Sequence, residues 1–117
     1  LFIKKHAEVI LAELDGIPVG FALFFHNFST FQTRANLYLE DLFVLKEYRH
    51  KGIGKKLLTH LAKIAIERGC LRLDWSCLTW NQPSIDFYRK IGATSLDDWM
   101  TFRIIDQALV DLAHLDT

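Results

Sequence analysis

The sequence has only two cysteines and two prolines among its 117 residues, and it contains no long run of apolar residues. Cys70 and Cys77 lie on one predicted strand, too far apart along it for a disulfide, and no histidine has metal-ligand spacing to either. We therefore expect reduced thiols in a cytoplasmic protein and no bound metal. No segment approaches the roughly 20 apolar residues of a transmembrane helix, and no signal peptide is recognisable, so we expect no membrane partner.

An excess of charge is also lacking, because 14 lysines and arginines offset 14 aspartates and glutamates. A surface field of one sign, which would attract nucleic acid or an anionic membrane, is therefore not expected. The predicted partner is a small molecule. Since half of the residues are hydrophobic, the chain is predicted to form one compact domain over residues 1–117. It begins Leu1-Phe2-Ile3 without a methionine, and we interpret it as truncated at the N-terminus.

The spacing of apolar residues predicts a mixed α/β fold. Asp15-Gly16 can supply the positive φ of a tight hairpin, and Asn81 and Asp106 are candidate helix N-caps. Residues 26–36 are mostly polar and are predicted to form a loop. The predicted strands are 9–14, 19–25, 37–45, 71–78 and 100–105, and the predicted helices are 53–68, 82–91 and a short one from 106.

The segment Arg49-His50-Lys51-Gly52-Ile53-Gly54 lies between a predicted strand and a predicted helix. Glycines at such a junction let consecutive N–H groups converge, and the helix N-terminus adds partial positive charge. This pattern predicts a site for a phosphate or a pyrophosphate. The alternative is a solvated basic turn.

A paired glycine before a helix occurs in more than one kind of nucleotide site. A Rossmann fingerprint requires a third glycine at position 57, which is leucine, but Asp74 lies about twenty residues after Gly54, so dinucleotide binding stays open. A P-loop is excluded, because no Gly-Lys-Ser or Gly-Lys-Thr follows.

Three stretches together identify a known family. They are Arg-x-x-Gly-x-Gly over residues 49–54, Asn-x-Pro-Ser-x-x-Phe-Tyr over 81–88, and Tyr-Leu-Glu-Asp-Leu-Phe-Val over 38–44. With them the sequence resembles the GNAT superfamily of N-acetyltransferases, most of all the diamine (spermidine/spermine) and thialysine acetyltransferases. The resemblance implies a GNAT fold, in which a mixed sheet with splayed central strands is flanked by helices. From the resemblance we expect that the usual N-terminal strand and helices are missing from this chain and that the protein is a homodimer.

The resemblance also implies acetyl-CoA as co-substrate, bound by its pyrophosphate at the glycine corner and by its pantetheine arm along the preceding strand. Backbone groups of the strand would pair with the pantetheine amides, and one N–H would polarise the thioester carbonyl. The implied cofactor-binding residues are Leu42, Phe43, Val44, Arg49, His50, Lys51, Gly52, Ile53, Gly54, Lys55, Asn81, Pro83, Ser84 and Tyr88.

Acetylation of an alkylamine needs a base, because an amine with a pKa near 10 is a free nucleophile in only about one molecule in a thousand at pH 7. Glu40 is the candidate base, by resemblance and because it is a carboxylate in an otherwise apolar strand. By resemblance, Tyr88 would protonate the departing sulfur, and Asp41 and Asp98 would bind the cationic substrate. The alternatives are a salt bridge from Glu40 and Asp41 to a lysine or arginine of the missing segment or of a partner subunit, and a packing role for Tyr88.

The expected function is direct acetyl transfer from acetyl-CoA to the primary amine of a diamine, a polyamine or a lysine-like amino acid. A non-catalytic CoA-binding module with the same fold and a dinucleotide-binding protein remain as alternatives.

Overall fold

The computed structural model describes residues 7–29 and 34–115, which form two compact units, Leu1–Cys77 and Leu78–Thr117. The first unit holds four strands and one long helix, and the second holds two helices, so the mixed α/β prediction is confirmed. The strands are β1 (Glu8–Leu14), β2 (Ile17–Ser29), β3 (Arg34–Val44) and β4 (Leu73–Asp74), and the helices are α1 (Ile53–Glu67), α2 (Gln82–Lys90) and α3 (Asp106–Ala113).

The four strands form one mixed sheet in the order β1-β2-β3-β4. The first three are antiparallel neighbours, and Asp15 and Gly16 make the β1–β2 turn with φ values of 51° and 78°, as predicted. β4 runs parallel to β3, and their register contains only the pairs Leu37↔Leu73 and Tyr38↔Asp74. β3 therefore continues to Val44, well beyond its last partner on that side.

Helix α1 covers one face of the sheet, because its apolar residues recur with the helical period and face the strands. Gly69, with φ of 71°, follows its last turn, a position where glycine commonly ends a helix. The buried core consists of Val19, Ala22, Phe24, Leu37 and Leu39 from the sheet and of Ile53, Leu57, Leu58, Leu61 and Ala65 from α1.

An ion pair ties the far end of α1 to the sheet. Two guanidinium nitrogens of Arg68 donate to the two carboxylate oxygens of Glu8, at 2.6 and 2.9 Å, and His26 Nε2 lies 3.3 Å from the same guanidinium. The hydrogen bond from Arg68 holds the pKa of Glu8 below its usual value. Since both side chains are more than a third exposed, the pair contributes only about 0.2–1 kcal/mol to stability. Its main effect is to fix the direction of the helix.

Three predicted elements differ from the structure. The predicted loop 26–36 is wrong at both ends, because residues 26–29 continue β2 and residues 34–36 begin β3, whereas 30–33 lie outside the described residues. Polar residues such as Asn36, which is 1% exposed, enter these strands because the β2–β3 ladder pairs their backbone groups. The predicted strand 71–78 shrinks to Leu73–Asp74, where pairing with β3 ends.

The predicted strand 100–105 does not form in the described chain, since β-type residues make a strand only beside a partner. Helix α3 is confirmed, but Asp106 is not its cap. Asp106 is its first residue, with φ of 56°, and the N-cap is Ile105, which makes no side-chain capping bond.

The close approach of β2 to β3 requires a glycine at position 20. A Cβ at this position would lie 2.7 Å from the carbonyl oxygen of Phe43 on the neighbouring strand. We expect Gly20→Ala to lower the free energy of unfolding by about 1–3 kcal/mol, since the two strands must separate to admit the methyl group. Urea denaturation measures the change.

Gly54→Ala is the matched control for this prediction, because a Cβ at Gly54 meets nothing within 4 Å and the residue is helical. We expect its free energy of unfolding to stay the same or to rise by up to about 1 kcal/mol, the helix-propensity difference between alanine and glycine. If both variants lost the same free energy of unfolding, steric contact with Phe43 would not be the cause of the loss in Gly20→Ala.

Candidate active site

The corner between β3 and α1 has a backbone geometry that would suit an anion. After β3 the chain makes a single 3-10 turn over Lys46–Tyr48 and then bends through His50 and Gly52, whose φ values are 66° and 81°. The N–H of Lys56 donates to the carbonyl of Gly52 at 3.0 Å and closes the first turn of α1. The N–H groups of Ile53, Gly54 and Lys55 therefore have no acceptor within the helix, and they point outward with the positive end of its dipole. Three converging donors suit a phosphate.

The fold alone does not explain why residue 54 is a glycine. Its φ is not in the left-handed region, and the space where a side chain would stand is open within 4 Å. Alanine would be the better helix former by about 1 kcal/mol. A glycine is useful at this position if a ligand approaches the backbone closely, because a Cβ would then stand in its way.

Two basic side chains at the corner make contacts within the chain. Arg49 Nε donates to the carbonyl of Val44 at 2.9 Å, and its guanidinium carbon lies 5.7 Å from the ring centroid of Phe43. Lys51 Nζ lies 5.5 Å from the ring centroid of Tyr48. Arg49 thus fastens the corner to the end of β3, a positioning role that the sequence motif did not indicate.

A β-bulge lies at Glu40, a feature that the sequence analysis missed. Leu23 pairs with Asp41 and Phe24 pairs with Leu39, so Glu40 is the extra residue between them. Such bulges re-aim side chains and are common beside active sites. The less exposed positions of β3 change from odd numbers, 37 and 39, to even numbers, 42 and 44, but the sequence hides this change because Phe43 is apolar too.

Glu40 and Asp41 are both exposed, and neither forms an ion pair with a described residue. The salt-bridge alternative, whose expected partner lies outside this chain, stays open. By contrast, the carboxylate of Asp74 accepts a hydrogen bond from Arg72 Nε at 3.0 Å, which gives this residue a local structural role.

The strand that precedes the corner is paired on one side only. Residues 42–44 pair with residues 20–22 of β2, and no described strand pairs with them on the other side. Because backbone groups of a strand alternate in direction, some N–H and C=O groups of Leu42, Phe43 and Val44 face away from β2. At the end of the β3–β4 pairing, the hydroxyl of Tyr38 hydrogen-bonds Ser76 Oγ at 2.9 Å.

The second unit contains the other predicted site residues. Asn81 Oδ1 accepts a hydrogen bond from the N–H of Ser84 at 3.4 Å, and Pro83 stands in the first turn of α2, so the predicted cap is confirmed. Tyr88 is half-buried on this helix, with its ring centroid 5.6 Å from that of Phe87. Asp98 is exposed in a turn.

The structure thus brings Glu40, Asp41, the end of β3 and the glycine corner together in the first unit, and it holds Asn81, Pro83, Ser84 and Tyr88 on one helix of the second. Across the described part of the chain, no group of three or more His, Cys, Asp or Glu side chains could hold a metal ion. Among the helices described, none is both long enough and apolar enough to span a membrane.

Comparison with known proteins decides the family. Residues 1–93, which include the glycine corner and all of α2, match the model of the acetyltransferase (GNAT) family. The chain belongs to this family. The resemblance found from the motifs is thereby confirmed, and so is the fold class that it implied.

Two curated GNAT relatives act on small amines, according to their names. The chain is 40% identical to L-ornithine N5-acetyltransferase NATA1 of Arabidopsis thaliana over 102 residues, which are 87% of this chain and 45% of the relative. It is 39% identical to thialysine N-epsilon-acetyltransferase of Bos taurus over 98 residues, 81% of this chain and 57% of the relative. The chain thus spans about half the length of these relatives.

A solved structure has the same fold over nearly the whole chain. The integron cassette protein VCH_CASS6, from the mobile metagenome of V. cholerae, superposes with a TM-score of 0.84 at 36% identity. The match covers 92% of this chain and 67% of that protein. The two proteins therefore share a fold over most of this chain.

Proposed function

We propose that residues 1–117 form a single acetyltransferase domain that transfers an acetyl group from acetyl-CoA directly to the primary amine of a small molecule. The observation that carries the proposal is the glycine corner. Three backbone N–H groups are left without helical acceptors there, beside a glycine that neither packing nor backbone conformation requires.

The coenzyme would be held mainly by backbone groups. Its pyrophosphate would accept hydrogen bonds from the N–H groups of Ile53, Gly54 and Lys55, with the Lys51 and Lys55 side chains adding positive charge. Its pantetheine amides would pair with the free side of residues 42–44, as an added strand does. The bound coenzyme supplies an acyl group activated as a thioester.

Two side chains would move the protons. Glu40 would take a proton from the ammonium group of the substrate, directly or through a water, so that the neutral amine can attack the acyl carbon. Removing that proton at pH 7 costs about 4 kcal/mol without a base. Tyr88 would give its phenolic proton to the sulfur as the carbon–sulfur bond breaks, and the proton that the nitrogen loses on becoming an amide would return to the phenolate, directly or through water.

The proposed substrate carries a second positive charge near the reactive amine. Asp41 is an exposed carboxylate next to the proposed base, and Asp98 is a second exposed carboxylate. The names of the relatives, which specify ornithine and thialysine, favour a lysine-like amino acid over other diamines. A polyamine satisfies the same charge pattern.

An amine panel tests the proposed function in the full protein. Thialysine, ornithine, lysine, putrescine and spermidine would be compared with propylamine, which has one amine and no second charge. We expect coenzyme-dependent acetylation of at least one amine with two or more charges, and a much lower kcat/KM for propylamine. CoA binding without turnover of any amine would indicate a non-catalytic module, and binding of NAD in place of CoA would indicate a dinucleotide site.

We further propose a homodimer that contacts through the C-terminal segment. Trp99, Met100 and Phe102 are 79%, 78% and 86% exposed, and several apolar side chains of α3 are about half exposed. Contiguous apolar exposure of this kind is typical of protein interfaces. Sedimentation equilibrium should give a dimer mass at micromolar concentration, and a monomer throughout would contradict the proposal. We also propose the cytoplasm as the location, a compartment in which thiols such as those of Cys70 and Cys77 stay reduced.

A further inference from the structure

A hydrogen bond joins β3 to the chain that leaves β4, just beyond the last pair of residues that the two strands share. The last pair is Tyr38↔Asp74, and β4 ends at Asp74. The hydroxyl of Tyr38 lies 2.9 Å from Oγ of Ser76, two residues further on. We call this hydrogen bond the Tyr38–Ser76 link. It holds the two chains together at the point where their backbone pairing stops.

The link lies level with Glu40, the proposed base. Both strands rise by nearly the same length per residue, so counting two residues on from the pair Tyr38↔Asp74 places Ser76 opposite Glu40. The ring of Tyr38 is held in place by β2, since its centroid lies 5.3 Å from that of Phe25. The phenolic oxygen is thus fixed at the point where the free side of β3 begins.

Packing of the tyrosine ring does not require its hydroxyl group. A phenylalanine at position 38 would make the same ring contact with Phe25. Within the described chain, the hydroxyl of Tyr38 bonds only to Ser76, which is exposed and lies outside any strand. The two side chains therefore bridge β3 and the neighbouring chain at a level where a continued strand would have bridged them through backbone groups.

We propose that the Tyr38–Ser76 link is the end wall of the acyl site and limits the length of the acyl group, an inference that rests on the proposed function. The proposed coenzyme runs from the glycine corner back along residues 44–42, against the direction of β3. Its thioester end therefore points toward Tyr38, and the acyl chain continues toward the link. A wall at this place determines which acyl groups fit.

The spacing along β3 gives the length of the acyl chain that fits. With the thioester carbonyl level with Leu42, two residues separate it from the link, roughly 6.6 Å. A carbon atom approaches other heavy atoms to about 3.5 Å, which leaves roughly 3 Å for the acyl chain. The last carbon lies about 1.5 Å from the carbonyl carbon in an acetyl group, about 2.5 Å in a propionyl group and about 3.9 Å in an extended butyryl group. Acetyl and propionyl groups therefore fit, whereas a butyryl group meets the link.

Selectivity among acyl donors tests this inference in the full protein. With one amine that the protein acetylates, kcat/KM would be measured for acetyl-CoA, propionyl-CoA and butyryl-CoA. The variants are Tyr38→Phe and Ser76→Ala, each of which removes one hydroxyl of the link, and the double variant. The matched controls are Ser76→Thr, which keeps a hydroxyl, and Tyr48→Phe, which removes one from a tyrosine outside the link. Because all donors are compared with the same amine, effects on amine binding cancel in the ratios.

We expect the wild-type protein to use butyryl-CoA about 5-fold to 150-fold less well than propionyl-CoA, the penalty for a methylene group forced into a filled site. In Tyr38→Phe and in Ser76→Ala the butyryl-to-acetyl ratio should rise by about fivefold or more, because the chain beyond β4 can then move away from β3. The double variant should match the single ones, since either substitution alone breaks the link. Both controls should keep the wild-type ratios.

Two results would overturn the acyl wall and leave the coenzyme corner intact. One is equal use of butyryl-CoA and acetyl-CoA by the wild-type protein. The other is a set of donor ratios in Tyr38→Phe and Ser76→Ala that stays the same as in the wild type, even where all rates fall by a common factor, which would assign the link to structure alone. Circular dichroism verifies that the variants fold. Absence of turnover with every donor in the wild-type protein would overturn the proposed function as well.

Discussion

Tyr88→Phe is expected to lower kcat by about 100-fold to 10,000-fold, the usual contribution of a positioned proton donor. The substitution removes one oxygen and keeps the ring that lies against Phe87, so α2 should retain its packing. The departing sulfur must then leave as a thiolate without a proton donor, and the defect should diminish at high pH, where a tyrosine of the wild-type protein also loses its proton. Steady-state kinetics over a range of pH would measure this.

Tyr48→Phe provides the matched control for this prediction. It deletes the same hydroxyl from the tyrosine of the 3-10 turn, whose ring contact with Lys51 does not need it. We expect kcat to be unchanged in this variant. If Tyr88→Phe also kept kcat within about threefold, Tyr88 would be a packing residue and the proton would come from elsewhere.

Glu40→Gln should produce the other large effect, a loss of about 100-fold to 10,000-fold in kcat/KM at neutral pH. The substitution keeps the size of the exposed side chain at the β-bulge and removes its ability to accept a full proton. The remaining activity should rise about tenfold per pH unit up to about pH 10, because the amine then loses its proton to solvent. The pH dependence thus separates loss of a base from loss of structure.

Asp41→Asn is the companion variant, because it changes the adjacent exposed carboxylate, to which we assign binding and not proton transfer. It should raise KM for a doubly charged amine and leave kcat nearly constant. Wild-type rates for Glu40→Gln at pH 7, or a pH profile parallel to that of the wild type, would exclude Glu40 as the base.

Local signals allowed the glycine corner and α1 to be predicted from the sequence. The helix has a 3.6-residue apolar period, and its boundaries carry Gly52 and Gly69, both of which adopt positive φ. The capping role of Asn81 could also be predicted from the sequence, because the cap bonds to a residue only three positions away. Such features depend on neighbours along the chain, which the sequence displays directly.

Features that depend on distant residues were harder to predict. Gly20 is required by the carbonyl of Phe43, 23 residues further along the chain, and nothing next to Gly20 reveals this contact. The segment 100–105 has strand-type residues, but a strand also needs a neighbour to pair with, so its pattern gave a wrong prediction. The bulge at Glu40 changes which positions of β3 are buried, and the sequence does not show this because residues 42–44 are all apolar; the pairing with β2 reveals it.

In the candidate site, too, only the features that depend on neighbouring residues could be predicted from the residues alone. The anion-binding character of the corner follows from elementary properties of a helix N-terminus, and the structure adds the open space at Gly54. The roles of Glu40 and Tyr88 stay predictions that rest on the family resemblance and on general chemistry.

The most direct test of the coenzyme corner is a titration of the ¹⁵N-labelled protein with CoA, followed by the amide resonances of residues 52–55. We predict that the N–H signals of Ile53, Gly54 and Lys55 move furthest and saturate with the same dissociation constant that calorimetry gives for CoA. Binding of CoA that leaves these three amide signals unshifted would contradict the account, because the pyrophosphate would then lie elsewhere.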